Sequence, residues 1–361
     1  MIIKSIELAN YRNYDKLQLS FDKGVNILYG DNAQGKTNIL EAIYLSATTK
    51  SHKGSKDKEI IQFEKEESHI RSTIERHEMD YRVDMHLHKY KTKGIAINGQ
   101  KLKKASELIG LLNVVFFSPE DLSIIKDGPS ERRRFIDMEL CQLDKSYLYD
   151  LNQYNKILNN RNKLLKDIIF QPSLKETLDI WDEQLVQFGI RIIKRRAVFI
   201  EELNGIIYDI HRKLSGYKEE LMIAYEPDTD AEILAAKVRI NRDRDLKLSQ
   251  TTSGPHKDDC IFKIGDCDIR KYGSQGQQRT AALSLKLAEI ELVKRVTKDT
   301  PVLLLDDVLS ELDNNRQNHL LNSIGDIQTI ITCTGLDDFI NNRFEMNKIF
   351  KVTAGTVTGE N

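Results

Sequence analysis

Gly30-Asp31-Asn32-Ala33-Gln34-Gly35-Lys36-Thr37 fits the pattern GxxxxGK[ST]. Residues 24–29 before it read as a strand, and residues 38–47 after it (NILEAIYLSA) carry the apolar spacing of a helix. Strand, glycine-rich loop and helix in that order are the context in which this pattern wraps a triphosphate. Glycines let the backbone approach and turn its N–H groups inward, and the helix N-terminus adds positive potential. Lys36 then reaches the β- and γ-phosphates, and the Thr37 hydroxyl ligates Mg²⁺. A plain glycine-rich surface turn is the competing reading, and the flanking strand and helix disfavour it. The expected fold class is α/β.

A second segment supports the same chemistry. Residues 301–307, PVLLLDD, form an unbroken apolar run that ends in Asp306 and Asp307, the pattern of a parallel strand covered on both faces. Ligands of open α/β sheets bind at such carboxyl ends. Asp306 is expected to hold Mg²⁺, directly or through water, with Thr37 as a ligand, and Asp307 to orient or deprotonate an attacking water. A third segment, residues 271–279 (KYGSQGQQR), sets Ser274, Gln275, Gly276 and Gln277 at the start of an apolar helix over 281–293. Backbone N–H groups and the helix dipole favour an anion there. One nucleotide already has its own loop, so this helix start is expected to address the γ-phosphate held by a second copy of the chain; an ordinary capped helix is the alternative.

Working outward, the chain has 361 residues, 40% hydrophobic and 30% charged, with 54 Lys+Arg against 55 Asp+Glu. At roughly 150 residues per domain that length suggests about two domains with real cores. A mean hydropathy of -0.46 and no apolar stretch approaching the ~20 residues of a membrane span argue against membrane insertion. Residues 2–8 alternate as a strand, so the start does not resemble a secretory signal, and a cytoplasmic location is expected. Cys141, Cys260, Cys267 and Cys333 are scattered and suit buried small residues better than a zinc or disulfide framework. The balanced charge gives no global pull on nucleic acid, so a polyanion surface must be a local patch.

Residues 70–74, 81–87 and 94–100, with an Asn98-Gly99 turn, read as a β-rich insertion, and residues 114–117 as a buried strand. From 131 to 215 helical spacing of Leu, Ile, Lys and Glu predicts a helical hairpin or small bundle, without heptads sustained enough for a long coiled coil. Residues 217–225 read as a strand, 231–238 as a short helix, and β pattern returns near Leu246; Trp181 is assigned to the helical core. The division expected is a discontinuous nucleotide lobe of residues 1–125 and 245–361 around a helical lobe of residues 126–244.

These segments carry a family resemblance. The phosphate loop, TSGPHKDD (252–259), SQGQQR (274–279) and LLLDDVLSELD (303–313) resemble the RecF family of bacterial DNA recombination and repair proteins, among the ABC/SMC-like ATPases. The resemblance runs from NYRNY (10–14) through FFSPEDL (116–122) and ERRRF (131–135) to the end of the chain. It implies an ABC-type P-loop ATPase head with a β-rich insertion and a second, mainly helical lobe. It also implies that Ser274, Gln275 and Gly276 are the signature contacting the partner copy's γ-phosphate, that Ser310 and Asp313 belong to a D-loop at a dimer interface, and that Arg12 lies near the nucleotide. Thr332 stands where many relatives carry a switch histidine, Asp307 where many carry a catalytic Glu, and the region 118–122 is where a Q-loop would fall. ATP and Mg²⁺ are the implied ligands. The implied partners are single-stranded and gapped duplex DNA, the RecO and RecR mediators, and a second copy joined by ATP; hydrolysis, weak and DNA-stimulated, would release the dimer.

Candidate DNA contacts are Lys89, Lys91, Lys93, Lys101, Lys103 and Lys104 on the insertion and Arg132, Arg133 and Arg134 at a helix start, because phosphate contacts need only Lys or Arg; each cluster alone also suits a solvated face. His86 and His88, two apart on a strand, share a face and form a possible metal pair without a third ligand. The rival readings are a small-molecule P-loop kinase and a clamp that binds nucleotide with negligible turnover. No NKxD segment supports a GTPase.

Overall fold

The computed structural model describes residues 1–336 and 346–360. Its elements follow from the sequence in chain order. The first are strands β1 (Ile2–Tyr11), β2 (Tyr14–Ser20) and β3 (Val25–Tyr29), then helix α1 (Lys36–Thr48) and the short α2 (Asp57–Ile60). Strands β4 (Glu67–Arg76), β5 (Met79–His88), β6 (Gly94–Ile97), β7 (Gln100–Lys101) and β8 (Val114–Phe117) follow. Next come α3 (Leu122–Lys126), α4 (Pro129–Leu143), α5 (Lys145–Asp167), α6 (Leu178–Leu214), β9 (Leu221–Glu226), α7 (Leu234–Ile240) and α8 (Arg242–Leu248). The remainder is β10 (Asp259–Ile264), β11 (Cys267–Asp268), α9 (Ile269–Tyr272), α10 (Gln275–Thr297), β12 (Val302–Asp306), α11 (Asn314–Ser323), β13 (Thr329–Cys333), β14 (Lys348–Thr353) and β15 (Thr356–Glu360).

The chain divides into two compact units, Met1–Asp121 with Glu289–Asn361, and Leu122–Ala288. In the first, the apolar runs predicted as buried strands pair in parallel: β12 lies between β8 and β13, β13 pairs with β3, and β3 with β14, in the order β15-β14-β3-β13-β12-β8. Every residue of β12, β13 and β8 is buried, as a strand covered on both faces requires. Parallel pairing puts the carboxyl ends of β3, β12 and β13 at one edge, so the loop after Tyr29, the Asp306 carboxylate and Thr332 meet there.

The second sheet of this unit is antiparallel, in the order β2-β1-β4-β5-β6-β7. Its inner face (Ile3, Ile6, Leu8, Ile70, Ile74, Val83, Met85) shares one core with α1 and the inner strands of the parallel sheet. Helix α1 is therefore buried nearly all round, the condition of a helix between two layers. The insertion read from 70 to 100 is continuous with the N-terminal strand, and β2 was not legible as a strand. Asn98 and Gly99 at φ 51° and 81° make the hairpin turn that their sequence predicts.

The second unit extends further than the expected 126–244. Residues 245–288 belong to it because β10 pairs antiparallel with β9, residue for residue from Asp259↔Glu226 to Ile264↔Leu221, closing a sheet β11-β10-β9 beside the helices. Helices α5 and α6, 23 and 37 residues, form the predicted hairpin. Two buried arginines inside it are each held by several acceptors. Arg161 donates to Asp182 (2.6 Å), Asp245 (2.8 Å) and Thr251 (2.8 Å), and Arg196 to Asp258 (2.9 Å), Asp137 (2.8 Å) and the Pro255 carbonyl (2.6 Å). Buried charges are tolerated only when paired in this way; Arg161 is held by Asp182, Asp245 and Thr251, while the 252–259 segment supplies Arg196 with the Pro255 carbonyl and Asp258. His256 belongs to it: burial pushes its imidazole down to about 4, and the neutral ring accepts from Tyr154 Oη (2.7 Å) and donates to the Thr251 carbonyl (3.1 Å). Trp181, assigned to the core, is only half-buried. Cys141, Cys260 and Cys333 are buried as expected, whereas Cys267 is exposed.

Candidate nucleotide-binding site

Gly30 and Gly35 are the two positions of the loop where no side chain fits. Gly30 has φ 151°, and a Cβ there would lie 2.3 Å from the Val352 carbonyl; Gly35 has φ 111°, and a Cβ would lie 2.7 Å from Tyr14 Oη. The β1–β2 turn grips the loop from one side: Asn13 Nδ2 donates to the Gln34 carbonyl (3.0 Å) and Tyr14 Oη to the Gly35 carbonyl (3.0 Å). Burial raises the Tyr14 phenol well above its usual range, so it stays a neutral donor. From the other side the β14–β15 turn donates Gly355 N–H to the Gln34 carbonyl (3.2 Å) and Ala354 N–H to Gln34 Oε1 (2.5 Å). Sequence reasoning gave no role to Asn13, Tyr14, Ala354 or Gly355, because the contacts join turns far apart in the chain.

Helix α1 begins at Lys36, and no side chain caps it, which leaves first-turn N–H groups for an anion. Lys36 is buried, its ammonium donating to the carbonyls of Gly30 (2.5 Å) and Asp31 (2.8 Å), so it is held inside the loop formed by 30–37. Opposite, Asp306 Oδ1 accepts from both Thr37 Oγ1 (2.8 Å) and Thr332 Oγ1 (2.7 Å). Two cis ligands of an octahedral Mg²⁺ with bonds near 2.1 Å lie ~2.9 Å apart. The Thr37–Asp306 oxygen pair therefore fits that ion, with the hard donors it prefers.

Asp307 follows at φ 55°, a left-handed conformation that Asp adopts more readily than most residues yet at some cost. Thr332 holds it there: the Asp307 N–H donates to Thr332 Oγ1 (3.0 Å) and to the Thr332 carbonyl (3.3 Å). Thr332 is 2% exposed. Its hydroxyl thus joins the metal-type carboxylate to the backbone of the base-type carboxylate, a role that the expectation of a switch position did not include.

Arg12, expected near the nucleotide, is held by protein acceptors. Its guanidinium binds the fully buried Glu41 carboxylate of α1 in a fork (2.8 and 2.7 Å), the Glu59 carbonyl (2.9 Å) and Ser55 Oγ (2.9 Å). Burial alone would raise the Glu41 carboxyl, but Arg12 and Ser51 outweigh it and hold it below the usual range. Arg12 fixes α1 immediately behind the phosphate loop.

Ser274–Gln277 lies in the second unit. Ser274 Oγ accepts from Gln277 N–H (3.2 Å), Ser274 N–H donates to Gln277 Oε1 (2.8 Å), and Gln277 Nε2 donates to Glu219 Oε1 (2.9 Å). This reciprocal cap leaves Ser274, Gln275 and Gly276 exposed. Ser310 Oγ donates to the Asp307 carbonyl (2.8 Å), and Asp313 caps α11 by accepting from Arg316 N–H (3.0 Å) and Arg316 Nη1 (2.6 Å). Both expected D-loop side chains are thus engaged locally. Residues 118–122 form a turn in which Ser118 N–H donates to Asp121 Oδ2 (2.7 Å), and they contain no glutamine.

Three of the DNA candidates have partners within the protein. Lys93 spends its ammonium on Asp57 (2.8 Å) and the Thr49 carbonyl (2.7 Å). Arg132 is 2% exposed and forks onto Asp259 (2.6 and 3.0 Å), and Arg133 donates to the Asp258 carbonyl (2.6 Å). These three hold secondary structure together, an outcome that a run of basic letters does not reveal. Lys91, Lys101, Lys103, Lys104 and Arg134 are exposed.

The model of the RecF/RecN/SMC N-terminal domain family matches residues 2–358. The DNA replication and repair protein RecF of Lachnospira eligens is 65% identical over 100% of both chains. The recombination mediator RecF of the RecFOR pathway, solved with ATP, superposes with a TM-score of 0.93 at 39% identity, covering 99% of this chain and 97% of that one. An Smc head bound to the C-terminal winged-helix domain of ScpA superposes with a TM-score of 0.57 at 17% identity, covering 100% of this chain and 97% of that one, and so shares the ABC/SMC head fold. With a glycine-rich loop and an acidic strand end at one edge of the parallel sheet, the chain belongs to the RecF family of DNA replication and repair proteins.

Proposed function

We propose that the chain binds Mg·ATP at the loop over 30–37, that two copies close on gapped duplex or single-stranded DNA with Ser274 of each capping the other's nucleotide, and that slow hydrolysis releases them. The observation that carries this reading is the hydroxyl bridge Thr37–Asp306–Thr332, which fits Mg²⁺ on one side and fixes the Asp307 backbone on the other. The ion would offset phosphate charge when held by Thr37 and Asp306. The chain's own residues supply the rest. Loop N–H groups and Lys36 bind phosphate oxygens, and Asp307 takes a proton from the water in line with the γ-phosphate. The chain is shorter in Asp than in Glu, so the water must come closer, which suits slow turnover. Related RecF solved with ATP supports the ligand. Partnership with RecO- and RecR-type mediators in loading a recombinase is the family's expected task, and a cytoplasmic location suits it; among the described residues no helix is long and apolar enough to cross a membrane.

A clamp with negligible turnover is the second reading, favoured by the strained, short Asp307. Steady-state ATPase rates of the wild type and Lys36→Arg, with and without gapped DNA, separate the two. Turnover that rises with DNA and disappears in Lys36→Arg is expected; no turnover above background under any condition leaves the clamp.

A further inference from the structure

The antiparallel ladder of β4 and β5 places His69 directly opposite His86, and Glu67 opposite His88. Alternation puts all four on the outer, solvent face of the sheet. The rings of His69 and His86 stack with centroids 4.2 Å apart and planes 14° from parallel. His86 Nε2 lies 2.9 Å from Glu67 Oε2, and His69 Nε2 lies 3.7 Å from Glu67 Oε1. One ligand atom from each of these three residues falls within 4.8 Å of the other two.

Because each nitrogen lone pair lies in its own ring plane, the two stacked rings must turn about χ2 to bind together; these exposed side chains can do so, and one divalent ion then takes both neutral imidazoles and the Glu67 carboxylate. Two nitrogens and one carboxylate oxygen select a borderline first-row ion over Mg²⁺ or Ca²⁺, which prefer all-oxygen sets. His69 and His86 also line a groove of about 720 Å³ on this face, which gives an ion its approach path and leaves room for coordinated water. His88 does not complete the set as placed, because its Nδ1 accepts from the Tyr90 N–H (3.1 Å). The sequence pairing of His86 with His88 is therefore replaced by a pairing across strands.

We propose that Glu67, His69 and His86 form a surface site for a divalent transition ion of the Zn²⁺ class, which staples β4 to β5 independently of the nucleotide site.

The test is Zn²⁺ binding by full-length, tag-free, chelator-stripped protein, carrying Cys267→Ser to remove the exposed thiol and held in excess Mg²⁺ to mask the nucleotide-site oxygens. Titration against a chromophoric indicator reads stoichiometry and affinity. We expect one equivalent of Zn²⁺ that is absent in His69→Ala/His86→Ala. In Glu67→Gln, affinity should fall at least about tenfold, the loss typical of even an outer-shell partner. Circular dichroism checks that these exposed substitutions leave the fold intact. The same stoichiometry and affinity in all three proteins, or no Zn²⁺ bound by the parent, overturns the site.

Discussion

Asp307 and Thr332 are where the chemistry of single residues can be tested most sharply. Asp307→Asn keeps the shape and removes the base, so turnover should fall by about a hundredfold or more, while fluorescent-nucleotide binding stays unchanged; a variant that hydrolyses ATP normally would remove Asp307 from the base role. Thr332→Val keeps the volume and deletes the hydroxyl that accepts from Asp307 N–H and donates to Asp306. Loss of that alignment should slow hydrolysis by roughly tenfold to a hundredfold, with a smaller effect on ATP affinity, read as separate changes in kcat and KM. His256 offers a prediction in pH. Burial brings its folded value down to about 4, below the usual imidazole value near 6.5, so the unfolded chain binds the proton more readily. Stability from this residue is present above about pH 6.5, is lost as pH falls toward 4, and at 1.36 kcal/mol per unit amounts to about 3 kcal/mol. Urea melts of wild type and His256→Asn between pH 7 and 4 should converge as the pH falls; parallel curves contradict it.

The elements that carry the site were legible where one residue type dominated a pattern. The apolar run before Asp306 could only be a doubly covered strand, and the loop of 30–37 announced its own helix. Strand β2 was hidden because its alternation is short and its neighbours in the ladder come from residues 5–11. The brackets on Gln34 and Gly35, from Asn13 and Tyr14 on one turn and Ala354 and Gly355 on another, connect segments that no window of sequence spans. The ion pairs of Lys93 and Arg132 were hidden for the same reason, since their acceptors, Asp57 and Asp259, are 36 and 127 residues away. At the start of α10, Glu219 orients the Gln277 amide that caps Ser274. Glu219→Ala should therefore weaken ATP-dependent dimerisation several-fold and leave ATP binding by the monomer unaltered. Equal dimer formation by variant and wild type in sedimentation would show that the cap needs no support.

At the scale of the whole molecule, the discontinuous nucleotide unit was readable because the phosphate loop and the acidic strand end stand near opposite ends of the chain yet need one another. Its boundary was not, because β10 looks like any returning strand until its partner β9 is known. On the proposed cycle, nucleotide chemistry would be divided between two compact units, with Lys36, Asp306 and Asp307 in one and Ser274 in the other. That cycle gives the exposed start of α10 a use in a second copy, as the group that would cap the partner's phosphate. Sedimentation velocity of Asp307→Asn, with and without an added Ser274→Arg change, in ATP and in ADP is the direct measurement. The account predicts an ATP-specific dimer for Asp307→Asn and a monomer that still binds ATP once Ser274 is replaced; a dimer in both, or monomers in both, would contradict it.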